Sequence, residues 1–195
     1  PRYRGNACQA WAILNGEEKI GLCIHRMIGG ELDSGDILAR AYLPIDVDST
    51  IGLVMDWIKS MTPALFVDVL AKLQRDPGYI LERQSKDPGL ALRCYPRCAD
   101  DGRIDWRKAA LDIVRLVNAS GHPYAGAFCF HEDRQLTVWE AQLVDDEHFL
   151  AVPGQVTAIT DEYLEVAAAV GKVRLTRFTL DGVSVKPAAV FKSIR

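Results

Sequence analysis

An α/β unit followed by a small all-β unit is the fold class that this 195-residue chain predicts, and three observations predict it. A helical stretch, two alternating strands and a long helix follow one another between residues 6 and 75. A segment rich in Pro and Gly then sets them apart from the rest. Beyond Gly121 the apolar period drops from 3.6 to 2 and stays there, as in a run of antiparallel strands.

The first helix starts near Asn6 or Ala7, runs through Ala10, Trp11, Ile13 and Leu14, and stops at Asn15-Gly16. Strands follow over residues 20–27 and 36–45, with Ile20, Leu22 and Ile24 on one face of the first and Ile37, Ala39, Ala41 and Leu43 on one face of the second. Between them, Gly29-Gly30-Glu31-Leu32-Asp33-Ser34-Gly35 is too Gly-rich and polar for either element and reads as an exposed loop joining adjacent strands. Asp48-Ser49-Thr50 caps a helix whose apolar stripe is Val54, Ile58, Met61, Leu65, Val69 and Leu73. Pro63 predicts a kink there, or a restart with Thr62 as cap. Residues 76–105 hold Pro77, Gly78, Pro88, Gly89, Pro96 and Gly102 and read as an extended connection. The division is 1–80, a linker over 81–100, and 101–195.

Asp105 caps the next helix, with Trp106, Ala110, Ile113, Val114 and Val117 on one face and Gly121 past its end. Short strands fall at 127–130, 135–143, 155–160, 163–168 and 172–180. Turns separate them at Glu132-Asp133, Asp145-Asp146-Glu147, Asp161-Glu162 and Asp181-Gly182. Five such strands after a helix predict a small antiparallel barrel.

Composition narrows the function classes. With 49% hydrophobic residues the chain is not disordered, and no apolar run reaches the ~20 residues of a membrane helix. A net charge of −3 gives no global basic field for nucleic acid or anionic lipid. Five cysteines are an odd, scattered set. Cys94 and Cys98 stand at C-x₃-C rather than zinc spacing, so the expectation is no metal site and reduced thiols in a cytoplasmic protein. No phosphate-cradling Gly loop, zinc-protease motif or nucleophile elbow is present.

Asp33, in the Gly-rich loop at a strand end, reads first as a turn residue and second as a carboxylate placed for catalysis. Asp36 reads as a solvated strand entry. His25, within a strand, reads as a hydrogen-bonded packing residue, and His131 and His148 as solvent-exposed.

Pro1-Arg2-Tyr3-Arg4-Gly5 followed by Ala10-Trp11-Ala12-Ile13-Leu14-Asn15-Gly16-Glu17 resembles the folate-dependent formyltransferases, whose LLPxYRG loop leads into such a helix. Gly21-Leu22-Cys23-Ile24-His25-Arg26-Met27 and Leu32-Asp33-Ser34-Gly35-Asp36-Ile37-Leu38 are similar to that family's strand and LDTGDI-type loop. Asp101-Gly102-Arg103-Ile104-Asp105-Trp106 and His122-Pro123-Tyr124-Ala125-Gly126-Ala127-Phe128 resemble the start of its C-terminal domain. The matches run in order from Pro1 to Trp139.

The resemblance implies the C-terminal portion of a Rossmann-like formyltransferase domain followed by an OB-like β-barrel. It implies transfer of a formyl group from 10-formyltetrahydrofolate to an amine. Of the family's Asn, His and Asp trio only the Asp carries over, onto Asp33. Gly29, Gly30, Glu31 and Leu32 are then expected to line the folate's pterin, and Tyr3, Arg4 and Gly5 to form the substrate loop. The Asn-x-His would precede Pro1, so the 195 residues are expected to be the back part of a longer enzyme and incomplete alone.

Two acceptors fit, a nucleotide-linked amino sugar or the aminoacyl end of initiator tRNA; a non-catalytic binding module is a third reading. Residues 101–195 hold 11 basic and 13 acidic side chains, and their densest cationic row is Lys172, Arg174 and Arg177. That balance favours the sugar nucleotide. Monomer and homodimer both stay open.

Overall fold

The computed structural model describes residues 2–146, 148–192 and 194. Pro1 and Glu147, and with them the ends of the Pro1–Gly5 motif and the 145–147 turn, lie outside the described residues. The chain forms two compact units: Pro1–Asp46 with Gly52–Arg97, and Val47–Ile51 with Cys98–Arg195.

In the first unit, β1 (Tyr3–Gly5) leads into α1 (Cys8–Leu14), and the antiparallel pair β2 (Lys19–His25) and β3 (Ile37–Pro44) follows. α1 ends at Asn15 with Gly16 at φ 65°, the left-handed stop that its Asn-Gly pair predicts. The alternation expected for β3 is not kept: Ile37, Leu38 and Ala39 are buried in succession, and Leu38 and Ala39 pack with Val69 against Ile24, Leu65 and Leu73. A bulge between Ile24 and His25 makes His25 pair with Ile37, leaving Leu38 as the extra residue.

α2 (Ile51–Arg75) runs unbroken through Pro63, so the restart at Thr62 is not found. Pro63 has no N–H for the preceding turn, and the Thr62 hydroxyl supplies a nearby donor, to the Ile58 carbonyl at 2.7 Å. Among the described residues no helix is long and apolar enough to cross a membrane.

The stretch read as an extended connection is woven into the first unit. β4 (Leu92–Cys94) pairs in parallel with β1, Tyr3 opposite Leu92 and Gly5 opposite Cys94. Further back, Glu82 bridges Ile37. Pro and Gly keep helical structure here to short 3₁₀ turns at Pro88–Leu90 and Ala99–Gly102, but they do not forbid edge pairing, which composition alone does not reveal.

In the second unit α3 (Ala110–Ser120) packs Ile113, Val114 and Val117, each essentially buried, on a sheet that contributes Leu136, Val138, Leu164, Val173, Leu175 and Leu180. Each such side chain contributes about 1.5–3 kcal/mol through burial. The helix begins later than Asp105 predicts: Ala109 is the N-cap. Asp105 instead accepts from the Arg107 N–H at 3.0 Å and from its guanidinium at 2.9 Å, an Asx turn ahead of the helix.

β5 (Ala127–His131), β6 (Arg134–Val144), β7 (Val156–Ile159), β8 (Leu164–Ala167) and β9 (Lys172–Leu180) lie within a residue or two of the expected segments. β10 (Val183–Ser184) and the short α4 (Pro187–Val190) were not anticipated. The order is β5-β6-β9-β8-β7, with β10 on β9. The ladder ends at β5 on one side and β7 on the other, so the closed barrel expected from the strand count is not found among the described residues.

Candidate functional site

The loop between β2 and β3 is drawn shut at its neck, where the Arg26 N–H donates to the Asp36 carbonyl at 3.0 Å. Gly35 lies so close to Arg26 that a Cβ on it would stand 1.8 Å from the Arg26 carbonyl oxygen. Only glycine fits that approach. The neck delivers Asp33 with its backbone at φ 49°, a left-handed conformation that a non-glycine residue holds only under constraint.

The Asp33 carboxylate has two partners. Oδ2 accepts the Gly5 N–H at 2.8 Å, and Oδ1 lies 3.5 Å from His25 Nε2. Both side chains are partly sheltered, 16% exposed for His25 and 30% for Asp33. The other imidazole nitrogen, Nδ1, is 3.0 Å from the Arg26 carbonyl; when Nδ1 carries the proton, Nε2 is left as the ring's acceptor. His25, assigned to packing on its strand position, is therefore a neighbour of the carboxylate. His25 closes β2 beside the mouth of the Asp33 loop, and strand position alone does not say which loop residue it meets.

The expected substrate loop divides. Gly5 meets Asp33 directly, and it has to be glycine: φ is 110° and a Cβ would clash with the Cys94 carbonyl at 2.5 Å. Arg4 donates to Gln84 Oε1 at 3.1 Å. Tyr3 turns elsewhere, donating its hydroxyl to Glu17 at 2.6 Å and accepting from Asn15 at 2.9 Å. Burial, then the hydrogen bond to Glu17, holds the Tyr3 phenol above its ordinary range. Its ring opens on a cavity of about 380 Å³ whose lining includes Arg2, Lys19, Arg40 and Tyr42.

Gly29, Gly30, Glu31 and Leu32 are all exposed. Glu31 is tied to the Ser34 hydroxyl by a very short hydrogen bond and lies 3.5 Å from Lys86. The Ser34 bond first, then the Lys86 charge, holds its carboxyl below the usual range. Beneath Gly5, the Cys8 thiol donates to the Gly5 carbonyl at 3.4 Å. Burial, with added repulsion from Cys94 and Asp33, pushes it up to about 12. It is a neutral donor there and not a nucleophile. All five cysteines are free, and no group of three or more His, Cys, Asp or Glu among the described residues could hold a metal ion.

In the second unit the cationic row is matched charge for charge. Lys172 meets Asp146 at 2.5 Å and Glu165 at 3.9 Å. Arg174 meets Glu165 at 2.7 Å and Arg177 meets Glu140 at 2.8 Å.

Residues 1–70 match the formyl transferase family model, and residues 98–194 match that for the formyl transferase C-terminal domain. A methionyl-tRNA formyltransferase of Citrifermentans bemidjiense is 31% identical over 193 residues, which is 98% of this chain and 58% of that protein. The chain therefore spans under two thirds of this relative's length. HypX from Aquifex aeolicus, solved in complex with tetrahydrofolic acid, superposes with a TM-score of 0.70 at 21% identity, over 97% of this chain and 33% of that one. An N-formyltransferase from Helicobacter canadensis, solved with folinic acid and dTDP-3-aminofucose, gives 0.68 at 16%, over 90% and 62%. At these identities the two structures speak for the fold. With both of its units matched in order, the chain belongs to the formyl transferase family.

Proposed function

We propose that the protein transfers a formyl group from 10-formyltetrahydrofolate to the amine of a nucleotide-linked amino sugar, with Asp33 as the carboxylate of the site. The observation that carries this reading is the Asp33 setting: a constrained, part-exposed carboxylate gripped by the Gly5 N–H on one oxygen and faced by His25 on the other. A neutral amine attacking a formyl carbon creates a tetrahedral oxyanion and gains a positive charge on nitrogen. A carboxylate held at that nitrogen takes the surplus proton, directly or through one water. Collapse of the intermediate then breaks the formyl bond to N10 of the folate, which takes up a proton and leaves as tetrahydrofolate. The Gly5 N–H fixes the direction of the carboxylate, His25 lies beside its second oxygen, and the exposed Gly29–Leu32 segment lines the pterin.

The sugar nucleotide is preferred because Lys172, Arg174 and Arg177 are each engaged by a carboxylate. They leave no row of free cations on that strand for a long polyanion. The named activity of the Citrifermentans relative favours a second reading, methionyl-tRNA as acceptor.

The test is formyl transfer by the full product of the reading frame, supplied with 10-formyltetrahydrofolate and either a dTDP-linked amino sugar or methionyl-tRNA. Sugar formylation is expected, and Asp33→Asn is expected to abolish it without unfolding the protein. Turnover of methionyl-tRNA alone sinks the acceptor assignment, and near-normal turnover by Asp33→Asn removes Asp33 from the chemistry.

A further inference from the structure

Gln84 lies in the extended segment between α2 and β4, 51 residues beyond Asp33, yet it binds the Asp33 loop with almost every polar group it has. Its side-chain amide donates to the Asp33 carbonyl at 3.0 Å and to the Gly35 carbonyl at 2.5 Å. Its backbone N–H donates to Asp36 Oδ1 at 3.2 Å. Its Oε1 accepts from Arg4 at 3.1 Å. One side chain thus ties the β1 segment, which supplies the Gly5 N–H, to the loop that carries the carboxylate.

The loop does little of this for itself. Between the neck and β3 its backbone closes one turn, Glu31 N–H to the Ile28 carbonyl at 3.3 Å. Asp33 nevertheless holds a φ of 49°, which needs restraint from outside. Gln84 grips the carbonyl of Asp33 itself and that of Gly35 two residues on.

We infer that Gln84 is a positioning residue for the Asp33 carboxylate, fixing it against the Gly5 N–H and His25; this rests on the formyl-transfer reading of Asp33. A misplacement of about 1 Å at a reacting group costs on the order of 10²-fold in rate.

Gln84→Met keeps the length and volume and removes every side-chain hydrogen bond. Gln84→Glu keeps the shape and the Arg4 contact but turns an acceptor toward two carbonyls. Both variants are expected to lower kcat for formyl transfer about ten- to hundredfold while KM for folate and acceptor moves less than about threefold. A packing role alone would be preserved by Met, so a kcat for Gln84→Met within about twofold of the parent overturns the inference.

A second readout needs no turnover. The amide of Gly5 is tied to Asp33 Oδ2, and its hydrogen exchange in the 195-residue chain is expected to speed up at least about tenfold in Gln84→Met, with the amide of Val69 in α2 unchanged. Unchanged Gly5 exchange overturns the inference whatever the kinetics show. If the parent transfers no formyl group, the function falls, and the exchange measurement still decides whether Gln84 positions Asp33.

Discussion

Replacing Gly35 by alanine should open the neck of the Asp33 loop, and the structure sets the size of the effect. The new methyl would stand 1.8 Å from the Arg26 carbonyl oxygen, 2.7 Å from its carbon and 3.3 Å from the Arg26 Cα. All three are backbone atoms, so no side chain can swing aside. The strand ends must part instead, and the 3.0 Å hydrogen bond from the Arg26 N–H to the Asp36 carbonyl is the first to break. Overpacking strain of about 1–3 kcal/mol and a hydrogen bond of about 0.5–1.5 kcal/mol together give a destabilisation of roughly 2–4 kcal/mol. The opposing gain from a stiffer unfolded chain is only about 0.4–1 kcal/mol. Gly29→Ala is the internal control: it is in the same loop, and a Cβ there meets nothing within 4 Å. Urea unfolding followed by circular dichroism should place the Gly35→Ala midpoint well below the parent's and the Gly29→Ala midpoint at or slightly above it. Equal midpoints for the two variants would show that the close approach of Gly35 to Arg26 does not hold the neck.

Asn118→Ala removes the donor that meets the Val47 carbonyl at 2.7 Å inside the second unit, where Asn118 is 5% exposed. An orphaned carbonyl and the broken bond should cost about 1–3 kcal/mol in urea unfolding, and no change would mean that water replaces the amide. Cys98 is exposed, while burial pushes the Cys8 thiol up to about 12 and that of Cys129 to about 11. At about pH 8 their thiolate fractions are on the order of 10⁻⁴ and 10⁻³, so iodoacetamide followed by mass spectrometry should label Cys98 first. Cys8 labelling at the rate of Cys98 would refute the buried, neutral thiol. The Asp146 carboxyl is held below its usual range, chiefly by the Lys172 hydrogen bond. Its contribution to stability is present above the ordinary carboxylate range and is lost as pH falls through the depressed value. Unfolding midpoints measured from neutral to about pH 3 should fall less steeply for Lys172→Met than for the parent, and parallel slopes would remove the pair from acid stability.

Most of the element order was legible because it rests on period and punctuation. Ile113, Val114 and Val117 face the core as their spacing predicts, and β5 to β9 lie where alternation placed them, with only the two-residue β10 missed. Strand closure was not legible: alternation says which face is buried but not whether the first and last strands meet, and here β5 and β7 do not. The site was half legible. The LDSGDIL loop and the Tyr3-Arg4-Gly5 motif stand out in the sequence, and Gly5 does touch Asp33, whereas Tyr3 points to Glu17. His25 escapes a reading by strand position because its meeting with Asp33 depends on how the loop after β2 folds back, which the residue pattern does not record.

Gln84 shows a different limit. Nothing about a glutamine among Arg83, Ser85 and Lys86 distinguishes it from a solvated linker residue, and a run of Pro and Gly on both sides strengthens that impression. Its importance is created by non-local pairing: β4 must align with β1, and Glu82 with Ile37, before its amide can reach the Asp33 and Gly35 carbonyls. The carboxylate is therefore held by three segments far apart in sequence, β1, the loop between β2 and β3, and the stretch around residue 84. Each holds a bond that the other two need: Gly5 to Asp33, Arg4 to Gln84, and Gln84 back to Asp33. In such a closed ring, losing any one bond loosens the other two, so substitutions at Gly5, Gly35 and Gln84 should not add as independent sites do. A double variant that costs no more than the worse single variant is what this arrangement demands. Strict additivity in unfolding or in turnover would mean that the three segments hold Asp33 separately.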